Sequence, residues 1–591
     1  MSGGAPARLH AEALVRALVS AGVRDAVLAP GSRNAPLVLA LERLVREASV
    51  LRLHTVLDER AAAFFALGLA RVTGAPTIFC CTSGSAGAHA LPAVIEADRS
   101  ALPLLVLTAD RPPELQGVGA PQTVIQQGMF APYVRLWADP GAPSGEVGPR
   151  HLASLAARCV DASVGACPGP VHLNLPYREP LELGDPPAPA GGHRTAPRLS
   201  RGPLALDPAE IEELAAQLVA APRGVLVAGP QDAPAAGRGL AVAHRALGEA
   251  LCELADALGW PLLADGASTP RGLGRASSAV VSTADALCRT AAFEALAPGL
   301  VLRFGQVPTS RAVTGWLARA TETWLVDPHG RLQDPDHLAS RLLVAEPAAL
   351  ARVLAAAVAR TGHSPQLAWQ TRWSRADRSA RAALTLETGA ATPPWSGSVA
   401  AALMAALPEG ALLHVASSLS IRALDAFAPA PGRRVTVTAN RGANGIDGTL
   451  ATALGQASRW TEGPVAVLLG DLAFLHDLGA LLVTPRPSAA VTVVIADNGG
   501  GGIFDHLPIA RHPTAFEPHF VTPPCVDLGS VVSGLPVTSE RADSTAALSA
   551  ALARHLETPG LSLIHVPIDR AHDLARHQAA RAAVERSLRH P

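Results

Sequence analysis

The amino-acid sequence predicts an α/β protein of three domains, each built from a parallel sheet flanked by helices. In the first block, short apolar runs such as DAVLAP, TIFCCTSG and LPLLVLTAD alternate with helical stretches such as APLVLALERLVREA. This alternation is typical of βαβ units around a parallel sheet. The chain has 591 residues, which is too long for one hydrophobic core, because domains usually contain about 100 to 200 residues.

The alternation is interrupted twice, and the interruptions divide the chain. Residues Glu182 to Pro203 are rich in Pro and Gly and have the composition of a linker between domains. The pattern resumes with GVLVAGP and is interrupted again from Ser364 to Trp395, a more polar stretch that is predicted to be helical. A third α/β block then runs to the end of the chain. We therefore predict domains at residues 1–185, 204–360 and 395–591.

Charge and cysteine content argue against several classes of protein. Lys and Arg number 49 and Asp and Glu number 50, so net charge provides no general attraction to nucleic acid or to an anionic membrane. The seven cysteines are an odd number without C-x-x-C spacing, which argues against a disulfide framework or a zinc site. The sequence has neither a signal-peptide core nor a run of 18 apolar residues. We expect a cytoplasmic protein that does not insert into membranes.

Two loops of the third block combine oxygen-bearing side chains with glycine. One predicted strand ends at Gly470 and Asp471, and a second ends at Asn498, which glycines including Gly500 follow. Because the carboxyl ends of parallel strands lie at one edge of a sheet, we expect the two loops to converge. A carboxylate, an amide oxygen and the backbone carbonyl of Gly500 are ligands that suit Mg²⁺, and Mn²⁺ accepts the same ligands. Glycines also let the backbone approach a diphosphate closely.

Each loop taken alone is also explained as an ordinary turn, in which Asp, Asn and Gly are common. Together they resemble the motif that binds thiamine diphosphate and Mg²⁺ in thiamine-dependent enzymes. This motif implies that Gly470, Asp471, Leu472, Asn498 and Gly500 contact the cofactor. The match departs from the commonest form at Leu472, where many members of that group have a second glycine.

A thiamine cofactor also requires an acid beside its aminopyrimidine ring, because the protein orients and polarises the cofactor. A carboxylate at the ring nitrogen N1′ promotes the imino tautomer, whose nitrogen removes the proton from C2 of the thiazolium. Glu59 is the candidate, since it stands where a short strand-like piece ends and an Ala-rich helix begins. The alternative is that Glu59 only caps that helix and stabilises its dipole.

Longer motifs of the first and third blocks resemble the 2-succinyl-5-enolpyruvyl-6-hydroxy-3-cyclohexene-1-carboxylate synthase family of menaquinone biosynthesis. They are APGSRNAPL, TADRPPELQGVGAPQ, ANRGANGIDG and ADNGGGGIFDHLP. The resemblance spans nearly the whole chain and is weakest between residues 185 and 395. It implies a three-domain thiamine diphosphate-binding fold in a homodimer or homotetramer. The first domain of one subunit and the third of another would build each site, so that Glu59 acts across the interface.

The family reaction joins two dianions, and the resemblance therefore implies a transferase of the carboligase type. It decarboxylates 2-oxoglutarate on the cofactor, and the resulting carbanion adds to the ring of isochorismate in a 1,4-addition. Arginine suits both substrates, because its guanidinium binds a carboxylate bidentately and keeps its charge in a dry site. The substrate-side positions implied by the resemblance are Ser32, Arg33, Arg111, Gln122, Arg311, Ser418, Arg422 and Arg441.

We assign Arg422 and Arg441 to the chain derived from 2-oxoglutarate, and Arg33, Arg111 and Gln122 to isochorismate. The residues expected to act in catalysis are Glu59, Arg33, Arg422 and Arg441. A single arginine near a loop is more often a surface or anchoring residue, and this alternative applies to each of them separately.

Three further positions complete the sequence-based assignment. Ile446 matches the bulky residue that holds the cofactor bent, although a β-branched residue there is equally compatible with ordinary core packing. Arg311 stands where some members of the family have adjacent Lys and Arg, and Ala312 beside it leaves one cation of that pair absent. His476 and His506 lie near the motifs, and the sequence assigns neither of them a role.

Two other functions remain open from the sequence. One is another thiamine-dependent decarboxylase or carboligase, such as an acetolactate synthase-like enzyme, against which the several arginines argue. The other is a non-catalytic, cofactor-binding subunit. Glu59, Asp471 and Asn498 occur together in this chain, which argues against that reading, since a silent relative requires none of them.

Overall fold

The chain forms three parallel sheets flanked by helices, which confirms the predicted α/β class. The computed structural model describes residues 5–48, 50–144, 148–182, 195–197, 200, 202, 204–231, 238–274, 277–365, 367–389 and 393–589. Each sheet has six strands, and all of the strand pairs within the sheets are parallel. Most of the predicted linker from Glu182 to Pro203 lies outside the described residues.

The first sheet has the strand order β2-β1-β3-β4-β6-β5. Strands β1 to β6 span Asp25–Leu28, Arg52–Thr55, Thr77–Cys81, Leu104–Asp110, Leu136–Ala138 and Val171–Pro176. Helices α1 to α5 span Ala5–Ser20, Ala35–Ala48, Glu59–Thr73, Leu91–Arg99 and Pro149–Val164. Helix α3 begins after Asp58, whose side chain accepts a hydrogen bond from the amide of Ala61, and it ends at Gly74 in the left-handed conformation.

The middle sheet has the order β12-β11-β10-β7-β8-β9. Strands β7 to β12 span Val225–Ala228, Leu262–Ala264, Val280–Val281, Leu300–Phe304, Glu322–Val326 and Arg341–Leu343. Helices α6 to α12 span Pro208–Ala220, Leu240–Leu258, Ala284–Leu287, Ala291–Glu294, Arg311–Leu317, Pro347–Arg360 and Leu367–Gly389. Helix α12 occupies the stretch predicted to be a helical connection. Its buried Trp373 packs against the rings of Phe293 and Trp316 of the middle domain.

The third sheet has the order β14-β13-β15-β16-β18-β17. Strands β13 to β18 span Ala411–Val415, Val435–Ala439, Val465–Gly470, Ala490–Asp497, Thr538–Arg541 and Gly560–Pro567. Helices α13 to α20 span Ser396–Ala406, Leu419–Phe427, Thr449–Ala457, Asp471–Val483, Pro513–Phe516, Leu528–Gly534, Thr545–His555 and Arg570–Arg589. Strand β13 is buried over its whole length, because helices cover both faces of the sheet. Among the residues that the structure describes, none of the helices combines the length and hydrophobicity that a membrane span requires.

The first and third domains meet where α3 crosses α15. A Cβ atom added at Gly68 of α3 would lie 2.1 Å from the carbonyl oxygen of Thr452, and one added at Gly455 of α15 would lie 2.1 Å from that of Phe65. Only glycine allows this approach, because any side chain would push the two helices apart. Glu59 at the start of α3 is thereby held at a fixed place beside the third domain.

Candidate functional site

The predicted metal ligands lie together at the carboxyl edge of the third sheet. Strands β15 and β16 are neighbours, with Gly470 opposite Ala496. Asp471 begins α16 and is buried, and its carboxylate accepts hydrogen bonds from the amides of Leu472 at 2.9 Å and Gly500 at 2.5 Å. The two loops predicted to converge are therefore in contact.

Two features of this edge fit a divalent cation. The Oδ1 atom of Asn498 is buried and has no hydrogen-bond partner among the described residues, although such an atom normally has one. Burial raises the pKa of Asp471 to about 7, and the neighbouring carboxylate of Asp497 adds to the shift. A dication coordinated by Asp471 and Asn498 would supply the missing partner and stabilise the buried negative charge.

The backbone at Gly500 is one that other residues rarely adopt. Its φ angle is 135°, and a Cβ atom there would lie 2.4 Å from the carbonyl oxygen of Val521. The glycine is thus required both by conformation and by the close approach of the segment Glu517–Val521.

Glu59 is the first residue of α3 and is partly exposed. The side chain of Asp58 caps the helix, whereas Glu59 lies in its first turn, where a negative charge stabilises the helix dipole. Within the part of the chain that the structure describes, the carboxylate of Glu59 makes no hydrogen bond or ion pair. The next residue, Arg60, donates to the carbonyl oxygen of His476 at 2.8 Å and so connects α3 with α16. His476 thereby has a structural contact, which the sequence did not predict.

The four predicted substrate residues of the first domain surround one loop after β3. Arg111 donates to the hydroxyl of Ser83, and the side-chain amide of Gln122 donates to its carbonyl oxygen at 3.0 Å. The amide of Arg33 donates to the hydroxyl of Thr82 at 3.3 Å, and Ser32 before it is exposed. Burial, followed by the charge of Arg33, lowers the pKa of Arg111. The two guanidinium groups are therefore close enough to repel each other, as expected where an anion is to be bound.

The guanidinium of Arg33 is also anchored by the protein. It donates to the carbonyl oxygen of Tyr177 at 3.0 Å and to the carboxylate of Glu179 at 2.9 Å. Gln122 has a φ angle of 56°, in the left-handed region that few residues other than glycine adopt. Its backbone is held in this conformation directly beside Gly84, where an added Cβ would lie 2.7 Å from the Gln122 side chain.

A second group of arginines forms between the middle and third domains. Burial lowers the pKa of Arg422, and the nearby charges of Arg441 and Arg311 lower it further. Arg422 donates to the carbonyl oxygen of Ser418 at 2.6 Å, and Ser418 precedes α14 with a φ angle of 67°. The Nε atom of Arg441 is buried without a hydrogen-bond partner among the described residues. The charge of Arg311, which comes from α10, thus acts on Arg422 together with that of Arg441.

Ile446 lies in the loop before α15 and is partly buried. It packs against the apolar cluster that includes Phe64 and Leu450, and its carbonyl oxygen accepts a hydrogen bond from the Thr449 hydroxyl at 3.3 Å. Ordinary core packing therefore accounts for part of its environment. Its predicted contact with a cofactor stays a prediction.

Glu96 is a residue of the site region that the sequence analysis missed. It is buried in α4, and its carboxylate accepts hydrogen bonds from the amides of Gly442 at 3.0 Å and Ala443 at 2.7 Å. The first domain therefore holds the loop that carries Arg441 in the third. A glutamate inside the apolar stretch LPAVIEADR was the available signal, but its partner lies far away in sequence.

The chain matches three family models in succession. They are the thiamine pyrophosphate enzyme N-terminal TPP binding domain at residues 9–129, the middle domain of thiamine pyrophosphate at 214–415, and the thiamine pyrophosphate enzyme C-terminal TPP binding domain at 421–566.

Three similar proteins are each named 2-succinyl-5-enolpyruvyl-6-hydroxy-3-cyclohexene-1-carboxylate synthase. The protein of Myxococcus xanthus is 41% identical, and the match covers 98% of each chain. That of Geobacillus kaustophilus is 38% identical with the same coverage, and that of Sorangium cellulosum is 38% identical over 96% of this chain and 94% of its own.

Proposed function

Because this chain belongs to the 2-succinyl-5-enolpyruvyl-6-hydroxy-3-cyclohexene-1-carboxylate synthase family, we propose that it makes this compound and CO₂ from 2-oxoglutarate and isochorismate in menaquinone biosynthesis. The observation that carries the proposal is the buried, unpartnered oxygen of Asn498 beside Asp471, in a chain with two groups of arginines. The same observation supports a transferase of the transketolase and transaldolase class over a silent subunit.

Thiamine diphosphate with Mg²⁺ is the cofactor that the family and the site residues support. Asp471, Asn498 and the carbonyl of Gly500 would hold the metal, for which Mn²⁺ is an acceptable substitute. Gly470 and Leu472, at the start of α16, are proposed to lie beside the diphosphate, whose charge a helix N-terminus favours. When bound, the cofactor supplies the carbon nucleophile that the chain itself lacks.

Glu59 holds a proton for the aminopyrimidine nitrogen N1′ of the cofactor in this proposal. Its carboxylate suits that role because no hydrogen bond or ion pair to the described residues occupies it. Ile446, in the loop before α15, supports the cofactor from its apolar side. Both roles are carried over from the family position by position.

The arginines bind and orient the two dianions. Arg422 and Arg441, with Ser418, are proposed to bind the carboxylate of the 2-oxoglutarate chain. Their repulsion in the free protein is relieved when a carboxylate lies between them. The same argument applies to the first-domain group, Ser32, Arg33, Arg111 and Gln122, which we propose binds isochorismate. Arg311 would add a cation from the middle domain.

We propose that the protein acts as a homodimer or homotetramer with sites between subunits. The loop that carries Gln122 exposes large apolar side chains, with Val118 68% and Ile125 84% exposed. Such side chains close to a polar site are expected where a second copy covers them. We also propose domains at residues 1–185, 204–360 and 395–591. A cytoplasmic location is proposed as well, because free cysteines suit a reducing compartment.

The test is consumption of isochorismate by the purified protein with thiamine diphosphate, Mg²⁺ and 2-oxoglutarate, with the mass of the product as readout. We expect a new adduct that disappears when any one component is omitted. Decarboxylation of 2-oxoglutarate without loss of isochorismate would mean that the acceptor is wrong and that another thiamine-dependent carboligase is correct. Absence of both reactions would support a non-catalytic subunit.

A further inference from the structure

A polar group that the proposed mechanism does not use lies beside the third-domain arginines. It consists of His506, at the end of the turn Gly502–His506, and of Asp573, His577 and Arg581 on α20. The three residues of α20 are spaced by four, so they lie along one face of the helix. His506 meets this face, since its ring centroid is 4.8 Å from that of His577.

At one end of the group, Asp573 and Nε2 of His577 are hydrogen-bonded within the protein. The Ser396 amide and hydroxyl both donate to Asp573 at 2.7 Å, and the Ser396 hydroxyl is 2.8 Å from Nε2 of His577. The ring of His577 is further held between the rings of Trp395 and Phe427. His577 is therefore a fixed support against which the ring of His506 packs.

The other end carries a cation without a partner. Arg581 makes no hydrogen bond or ion pair with the residues that the structure describes, and its Nε atom is buried. The acid whose charge acts on Arg581 is Asp285. Arg289 already donates to the Asp285 carboxylate at 2.8 and 3.1 Å, and the Ser310 hydroxyl donates to it at 2.5 Å. The negative charge of Asp285 is thus matched, and the charge of Arg581 is in excess.

The same contacts link Arg581 with the substrate site. Ser310, which is bound to Asp285, directly precedes Arg311 of the arginine group. Burial, and then the charges of Arg581, Arg289 and Arg422, lower the pKa of His506, so its ring is neutral near pH 7. His506 therefore packs against His577 of α20, and the charges of both Arg422 and Arg581 act on its ring.

We propose that Arg581 and His506 form a carboxylate-binding site that continues the group of Arg311, Arg422 and Arg441. An unpaired, partly buried guanidinium beside a neutral imidazole presents N–H donors to one carboxylate, and its excess charge is matched when that anion binds. The inference rests on the proposed function, whose two dianionic substrates supply the carboxylates. It adds a cation from the C-terminal helix, which the sequence motifs do not indicate.

A metal site is the competing explanation, because ligand atoms of His506, Asp573 and His577 lie within 4.8 Å of one another. Two observations argue against it. Asp573 and His577 are already hydrogen-bonded to Ser396. Moreover, the positive charges of Arg289, Arg422 and Arg581 nearby would repel a dication.

The experiment compares the wild-type holoenzyme with Arg581→Gln, Arg581→Lys and the control Arg586→Gln, which removes an exposed arginine from the same helix. KM is measured for 2-oxoglutarate and for isochorismate separately. We expect Arg581→Gln to raise KM for one of them about tenfold or more, with kcat within about twofold, because the contact acts in binding. Arg581→Lys should recover part of the loss, and Arg586→Gln should match the wild type. The substrate whose KM rises identifies the carboxylate.

The outcomes also separate this inference from the proposed function. A wild type that turns over both substrates, with neither KM changed in Arg581→Gln, would overturn the inference and leave the function intact. If the wild type forms no product, calorimetric binding of 2-oxoglutarate and of isochorismate to the two proteins decides, and equal affinities for both would overturn the site. Tight binding of Zn²⁺ by the wild type that is lost in His506→Gln would establish the metal explanation instead.

Discussion

Two side chains of the site carry a buried polar atom without a hydrogen-bond partner in the part of the chain that the structure describes. Asn498 Oδ1 and Arg441 Nε are buried and unpaired among the described residues. An unsatisfied buried polar group costs about 1–3 kcal/mol, so a fold that keeps two of them holds free energy that a ligand can recover. These atoms lie at the positions where the sequence motifs place a metal and a substrate carboxylate.

Replacing Glu59 by Gln tests the proposed acid directly. The amide keeps the shape of the side chain but cannot exchange a proton with N1′, so we expect turnover to fall by about 10²- to 10⁴-fold. Cofactor affinity, measured by calorimetry, should change little. Glu210→Gln is the control, since Glu210 also lies in the first turn of a helix, after the N-cap Asp207. Unchanged turnover in Glu59→Gln would remove this residue from the mechanism.

His414 provides a prediction about pH. It is completely buried in β13, and burial, followed by the charge of Arg71, lowers its pKa from 6.5 to about 3. The unfolded chain therefore takes up the proton first as the pH falls, and the stability that the neutral ring contributes is lost from pH 6.5 downward. His10, His172, His244 and His577 shift in the same direction.

We expect the free energy of unfolding to fall between about pH 6 and pH 4, and more gently in His414→Gln. One histidine changes the free energy of unfolding by up to about 1.4 kcal/mol per pH unit. The slopes of this free energy against pH should differ by up to that amount between the wild type and His414→Gln. Denaturant titrations at three pH values measure both slopes. Parallel slopes would mean that His414 is charged in the folded protein or is reached by water.

Residues of the site differ in how far the sequence could predict them. Asp471 and Asn498 follow strands beside glycines, a pattern that predicted the convergence of their two loops, and the structure places these loops in contact. Glu96 and the Ser83 hydroxyl contact the same loops, but nothing local marks them. Their partners are set by the packing of whole domains, which residue patterns do not contain.

The crossing of α3 and α15 is a contact that requires glycine on both helices. Glycines on each helix meet backbone of the other, and a third, Gly448, faces the ring of Phe64. The alternation of strand and helix in the sequence predicted the sheets, because each strand carries its own apolar pattern. It did not predict which helices cross, because a glycine inside a helix, such as Gly68 or Gly455, indicates from the sequence only a less stable helix.

Gly68→Ala should destabilise the protein strongly. The new Cβ would lie 2.1 Å from the Thr452 carbonyl oxygen, so α3 and α15 must separate, at a cost of about 1–3 kcal/mol or more. Gly479→Ala in α16 is the matched control, because nothing lies within 4 Å of an added Cβ there. It should be neutral or stabilising by about 0.5–1 kcal/mol. Equal unfolding midpoints for the two variants would contradict the close crossing.

The middle domain is joined to the third by a buried guanidinium. Arg271 donates to the carbonyl oxygens of Leu424 at 3.1 Å, Asp425 at 2.9 Å and Ala428 at 2.5 Å, and so caps the end of α14. Asp425 is buried beside it and accepts from the amide of Gly266 at 2.7 Å. Because α14 begins beside Ser418 and carries Arg422, Arg271 of the middle domain supports the helix that carries the residues proposed to bind substrate.

Arg271→Met should cost about 3–5 kcal/mol in stability, because it leaves Asp425 and three carbonyl oxygens buried without their cation. KM for 2-oxoglutarate should rise as well, since the end of α14 loses its anchor. Arg360→Met breaks an exposed pair with Glu212 in the same domain and should cost no more than about 1 kcal/mol. Denaturant unfolding and substrate titration of both variants test this. A similar loss of stability in the two variants would show that the buried contact contributes no more than the exposed pair.

The crossing of α3 and α15 also has a mechanical consequence. At Gly68 and Gly455 each helix lies directly against the backbone of the other, and such close packing transmits strain instead of absorbing it. The acid at the start of α3 and the loop before α15 therefore keep a constant separation within one subunit. The joint between the first and third domains is therefore stiff, and any motion that separates Glu59 from the loop before α15 has to break this crossing.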